Sequence, residues 1–180
     1  MLKEEQSMNL SKNTKIIVIG CPGSGKTTFS EKLQKVSGLP LFYLDAIWHK
    51  PDRTHISREE FDEKLSVLLK YDRCIIDGNY SRTMERRMAA CDTVILFDLP
   101  TEICLNGVRS RLGKARCDVP WIDTELDPAF ARSVESFASE ELPRVYELVE
   151  KYNKEKTVIV FKSRAEADGF IEKIKEASEG

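Results

Sequence analysis

KIIVIGCPGSGKTTFS, residues 15–30, decides how the rest of the chain is read. Its first six residues are nearly continuous in isoleucine and valine, as a parallel strand covered on both faces is. Directly after them, Gly20-Cys21-Pro22-Gly23-Ser24-Gly25-Lys26-Thr27 fits the pattern G-x-x-x-x-G-K-[ST]. Glycines at 23 and 25 admit backbone conformations and a close approach that a Cβ would block. The successive N–H groups then curl around phosphate oxygens, aided by the positive end of a helix beginning near Lys26. Lys26 reaches the β- and γ-phosphates of a bound ATP, and the Thr27 hydroxyl is placed to ligate Mg²⁺. A phosphate-binding loop between a strand and a helix predicts an α/β domain.

The remaining chain agrees with that reading. Further short apolar runs at 40–44, 74–78, 93–99 and 157–161 alternate with longer segments of helical period. Ser57 predicts a helix N-cap, with Glu60 completing a capping box and Phe61, Leu65, Leu68 and Leu69 forming the apolar stripe. Asp127-Pro128 opens another helix carrying Phe130, Val134 and Phe137. Pro143 starts a separate segment, and Ser163 starts the last, which buries Phe170, Ile171 and Ile174. No internal repeat is present. The 180 residues suit one domain.

A net charge of −2 leaves no global basic field for nucleic acid or an anionic membrane, so neither is an expected partner. Five scattered cysteines form no CxxC pair and read as reduced and structural. The polar stretch 1–13 contains no signal-peptide core, and no apolar run approaches a membrane span. A cytoplasmic protein is the expectation.

Other candidates cluster at the carboxyl ends of the predicted strands, where ligands of open α/β sheets bind. Asp77 ends the third run and completes the magnesium site begun by Thr27. Arg82, with Arg86 one turn on, opposes the dipole of the helix it opens, and a bound anion would justify it. Asp45 ends the second run, and Trp48 close by reads as core or as a stacking surface. Arg109, Arg111, Lys114 and Arg116 form a late basic cluster suited to charge developing on a transferred phosphoryl group. Residues 112–126 have no period, and such a loop inside a compact domain reads as functional. Lys162 to Arg164, beyond the last strand, would flank a nucleotide base.

Taken together, GxPGSGK[ST], Asp45, D-G-N-Y-x-x-T at 77–83 and the arginines after the fourth strand resemble the adenylate kinase-like branch of P-loop kinases. LDAIWHK, IIDGNYSRTMERRM and CDTVILFDLP look most like the bacterial topology modulation proteins, an adenylate kinase-related family. The resemblance covers about residues 14–172. It implies a three-layer P-loop NTPase fold with a five-stranded parallel sheet ordered 2-3-1-4-5. In that layout a single domain at 14–178 follows the tail, with an acceptor-side insert at about 45–72 and a short lid at about 112–126. It assigns Gly20 to Thr28 to the ATP phosphates, Asp77 to the magnesium shell, Arg82 to the acceptor and Arg111 and Arg116 to the lid. Arg109 and Arg164 join the nucleotide-binding set.

Two departures bear on function. Gly25-Lys26-Thr27-Thr28 replaces the usual G-K-G-T of adenylate kinases and is closer to shikimate and gluconate kinases. Asn79 and Tyr80 stand where D-G-F-P-R has phenylalanine and proline. The leading expectation is ATP-dependent phosphoryl transfer to a nucleotide or other small molecule. The alternative is a kinase of a hydroxyl-bearing acceptor, for which Asp45 would serve as base. A nucleotide-dependent regulatory or DNA-topology-related protein is the third. The absence of N-K-x-D argues against a GTPase switch.

Overall fold

The computed structural model describes residues 15–179, so the polar stretch 1–13 lies outside the described residues. Five strands, β1 (Lys15–Gly20), β2 (Leu41–Tyr43), β3 (Cys74–Asp77), β4 (Thr93–Phe97) and β5 (Thr157–Phe161), pair in parallel. Their order is β2-β3-β1-β4-β5, as expected. The three central strands are buried almost throughout, which accounts for their unbroken Ile, Val and Leu runs. The two edge strands are mostly half-buried.

Among the described residues eight α-helices complete the three layers: α1 (Lys26–Ser37), α2 (Leu44–Trp48), α3 (Arg58–Leu68), α4 (Met84–Ala90), α5 (Thr101–Arg109), α6 (Pro128–Glu140), α7 (Leu142–Tyr152) and α8 (Arg164–Glu179). One core contains Phe29, Leu33, Phe97, Val134, Phe161 and Ile171. Within it Phe29 meets Phe97 and Phe161 edge to face at 5.3 and 5.4 Å, a favoured aromatic geometry. A second core joins Phe61, Leu65, Met84, Met88, Val145 and Val149.

Local signals set the helix starts. Ser57 Oγ accepts from Glu60 N at 3.0 Å, and Asp127 Oδ1 accepts from Phe130 N at 2.8 Å. Ser163 Oγ accepts from Glu166 N at 3.2 Å, one residue before α8. Strand ends differ from expectation. The second run stops at Tyr43, so Asp45 lies in the first turn of α2 and not on the strand. The fourth stops at Phe97, before Asp98 and Pro100 turn the chain into α5. Phe130, expected in the apolar stripe of α6, is exposed, because it sits on the face that borders a cleft and not the core. Residues 112–126 contain no helix or strand and close on themselves through Gly113 N donating to Asp123 O at 2.8 Å. All five cysteines are free, and all but Cys117 are buried. Among the described residues no helix is long and apolar enough to cross a membrane.

Candidate functional site

The carboxyl ends of β1, β2 and β3 open into a cavity of about 610 Å³. At one end stands the glycine-rich loop. Gly23 has φ +82°, and a Cβ there would come within 2.0 Å of Cys104 O on α5. A Cβ at Gly107 would equally come within 2.0 Å of Gly23 O. Two glycines, one on each side, therefore let α5 press directly on the loop backbone. The loop is tied elsewhere too. Gly20 N donates to Asn79 Oδ1 at 3.1 Å, and Arg164 donates from Nε to Ser24 O at 3.2 Å and from Nη2 to Gly23 O at 2.8 Å.

Lys26 is buried, and its Nζ donates to Cys21 O at 3.1 Å. Burial pulls its pKa below the ordinary lysine value, opposed by the charge of Asp77. Thr27 Oγ1 donates to Asp77 Oδ2 at 2.9 Å. Burial raises the Asp77 carboxyl to about 6, and Lys26 and the Thr27 hydroxyl limit the rise. Its other oxygen, Oδ1, is buried without a hydrogen-bond partner. A hydroxyl beside a carboxylate oxygen with unused capacity suits a hard divalent cation. Among the described residues no group of three or more His, Cys, Asp or Glu could hold a metal ion. Beside the loop a second cavity, of about 310 Å³, is bordered by Gly25, Thr28, Lys32, Ser110, Arg111 and Arg164.

The larger cavity extends past Asp45. Tyr80 Oη donates to Asp45 Oδ1 at 2.7 Å, and the Tyr80 ring stacks on Phe61 with centroids 5.0 Å apart. Sequence reasoning passed over Tyr80 as a functional group. It also missed Arg87, which is fully buried and donates to Gly78 O and Tyr80 O, both at 2.8 Å. That guanidinium props the segment carrying Asn79 and Tyr80. A signal for it existed: Arg87 interrupts the i, i+3, i+4, i+7 stripe Met84, Arg87, Met88, Cys91. Trp48 packs on His55 and Phe61 rather than lining the cavity.

The arginines divide. Arg111 is half-buried, borders both cavities and makes no ion pair among the described residues; burial and the neighbouring Arg116 charge lower its pKa. Arg116 grips buried Asp118 through Nε to Oδ1 at 2.9 Å and Nη2 to Oδ2 at 2.6 Å. It also lies 4.0 Å from Asp45 and 3.9 Å from Asp123. Arg109 is exposed at the end of α5 and borders neither cavity. Arg82 lies outside the cavity lining, paired through both terminal nitrogens with Asp62 of α3 at 2.9 and 2.7 Å. A carboxylate on the neighbouring helix offsets its position at a helix start. Arg86 likewise turns to Ser66 Oγ at 2.6 Å.

Residues 112–126 cross the cavity to meet the segment after α2. Arg53 donates to Ile122 O at 3.1 Å, and its guanidinium lies 5.6 Å from the Trp121 ring centre. Trp121 and His49 meet edge to face, with ring centroids 5.2 Å apart.

Comparison with known proteins supports the fold. No family model matches the chain. An adenylate kinase of Mesoplasma florum is 29% identical over 133 residues, 59% of this chain, and the chain spans 63% of that relative's length. A sugar kinase structure from Janibacter sp. superposes with a TM-score of 0.53 at 17% identity, covering 89% of this chain and 91% of that one. The shikimate kinase of Bacteroides thetaiotaomicron gives 0.53 at 14% identity, covering 93% and 99%. The narrower likeness to topology modulation proteins has no counterpart among these three.

Proposed function

We propose that the protein is an ATP-dependent phosphotransferase acting on a hydroxyl group of a small molecule. The observation carrying this reading is Asp45, whose carboxylate opens onto the same cavity as Lys26, Thr27 and Asp77. A hydroxyl acceptor gains from a carboxylate within hydrogen-bond reach, whereas a nucleoside monophosphate arrives with an ionised oxygen and needs none. The arginine expected to hold an acceptor phosphate, Arg82, is meanwhile committed to Asp62.

In this mechanism the loop amides, Lys26 and Arg111 bind the ATP phosphates, and the base lies toward the second cavity beside Thr28 and Arg164. Asp77 and Thr27 would hold Mg²⁺, which shields the charge of the β- and γ-phosphates when bound. Asp45, oriented by Tyr80, accepts the hydroxyl proton as the acceptor oxygen bonds to the γ-phosphorus. The bond from that phosphorus to the β–γ bridging oxygen breaks, and ADP leaves. Buried free thiols and use of ATP suit a reducing cytoplasmic setting.

The nucleotide reading keeps one specific support, the 29% identity to an adenylate kinase. Incubation with Mg·ATP and separate sets of hydroxyl compounds and nucleoside monophosphates, following ADP, tests both. ADP release that depends on a hydroxyl compound and is lost in Lys26→Ala and Asp45→Asn is expected. Release driven only by monophosphates, and indifferent to Asp45→Asn, would transfer the conclusion to a nucleotide kinase.

A further inference from the structure

The charges around Asp45 narrow the acceptor. We infer that this half of the cavity takes a neutral or cationic polyhydroxylated molecule, such as a sugar, polyol or amino sugar, and rejects acceptors carrying a carboxylate or phosphate. The inference rests on the hydroxyl-acceptor reading and sharpens it. It departs from the acid acceptor that the sequence likeness to shikimate and gluconate kinases suggests.

Binding a small acid needs a guanidinium or ammonium free to receive it. Among the described residues, both guanidiniums of the acceptor half already face a carboxylate. Five carboxylates, Asp45, Asp118, Asp123, Glu125 and Asp127, border that half against two guanidiniums, Arg53 and Arg116. Arg116 is held bidentately by Asp118, with Asp45 and Asp123 at 4.0 and 3.9 Å. Arg53 is 3.8 Å from Asp123 and donates to Ile122 O. An incoming carboxylate that took the bidentate face of Arg116 would displace Asp118. Asp118 is only 4% exposed, so it would be left as an unpaired buried charge, an expensive outcome. Arg111, the guanidinium without a carboxylate partner, borders both cavities and serves the ATP phosphates in the proposed reaction.

What the same walls provide suits hydroxyl and ammonium groups. Carboxylate oxygens accept hydrogen bonds from either, and their negative field favours a cation. Trp121 and Phe130 add aromatic faces on which a sugar's C–H surface packs. In the reaction, one acceptor hydroxyl oxygen forms the new O–P bond as the bond to the β–γ bridging oxygen breaks. Its proton passes to Asp45, and the remaining hydroxyls stay bound to the acidic wall.

The test uses the full chain in two arms. In the first, Mg and the β,γ-imido analogue of ATP fill the donor half, and inorganic phosphate and gluconate are titrated by calorimetry. No binding of either anion is expected. Binding of either that is lost in Arg116→Ala would overturn the inference. Failure of the ATP analogue itself to bind would instead overturn the donor reading on which everything rests. The second arm measures kcat/KM on one six-carbon skeleton, comparing sorbitol, glucose, glucosamine, gluconate and glucose 6-phosphate, with AMP alongside. Neutral and amino members are expected to exceed the acids by more than about tenfold, the scale of like-charge rejection. The gap should narrow in Asp123→Asn, whose side chain is partly exposed, so that folding tolerates the change. Preference for gluconate or the sugar phosphate would overturn the inference and leave a hydroxyl kinase standing. Preference for AMP would remove both. Where none of these compounds is phosphorylated, the anion titration decides alone.

Discussion

The two halves of the cavity treat positive charge in opposite ways. At the glycine-rich loop, Lys26 and Arg111 make no ion pair among the described residues; burial lowers the pKa of each, and the charge of Asp77 opposes the shift. Around Asp45, Arg116 and Arg53 face carboxylates, and outside the lining Arg82 is bound to Asp62. The first arrangement leaves positive potential unsatisfied until a polyanion arrives, which is electrostatic preorganisation for phosphate. The second cancels it in advance. In the proposed reaction one part of the cavity thus receives a triphosphate and the other disfavours anions.

The sharpest way to break this contrast is at Lys26. Lys26→Ala should lower kcat/KM for Mg·ATP by about 10³-fold, the scale for removing a central cationic donor from a phosphoryl-transfer site. A loss below about tenfold would mean that Arg111 and the loop amides carry the donor half alone. On the other side, Asp45→Asn should cost about 10²-fold in kcat with KM little changed, as loss of a general base does. Tyr80→Phe should cost about tenfold, again in kcat, because Tyr80 orients Asp45 through its 2.7 Å hydrogen bond. The double variant should be no slower than Asp45→Asn alone, since both changes act through one group. Additive losses would give Tyr80 a separate role.

How much of this was written in the sequence divides along the same line. The donor half depends on local chain geometry, so consecutive residues disclose it: Gly20 to Thr27 form one turn, and a short strand precedes it. The sheet was equally legible, because strands buried on both faces need unbroken apolar runs. The acceptor half is built from side chains far apart in sequence. Arg82 and Asp62 are 20 residues apart, and Tyr80 and Asp45 are 35 apart. Spacing along the chain contains no record of such a pair. Arg82 therefore read as an unbalanced cation until α3 supplied its partner. Asp118 read as part of a featureless loop, although its burial depends on that loop folding over the cavity.

A smaller effect is the pH dependence of the donor half. Asp77 has its carboxyl raised by burial from 3.8 to about 6. Below that value it is protonated and loses its charge toward a cation, so Mg·ATP affinity should fall about tenfold for each pH unit below 6. Stability runs the other way. Between 3.8 and about 6 the folded chain holds a proton that the unfolded chain has released, so this group's contribution to stability grows as pH falls through that window. Asp77→Asn should accordingly gain in Tm over the parent at about pH 8, with the gap closing by about pH 4. A gap independent of pH would place the ionisation elsewhere.

The smallest expected effect is the most telling about the acceptor. Arg82→Ala removes a guanidinium from the segment that should hold an acceptor phosphate if the chain acts on nucleotides. In the structure that guanidinium is exposed and outside the cavity lining, its two donors spent on Asp62. An exposed ion pair of this kind contributes little to folding because water and salt screen it. The variant should therefore keep kcat/KM within about twofold for the hydroxyl acceptor, and any change in stability should shrink further at high salt. A rise in the acceptor KM of tenfold or more would mean that Arg82 leaves Asp62 when substrate binds. That result would make the paired state a resting position, and the two halves would then be alike, each receiving an anion.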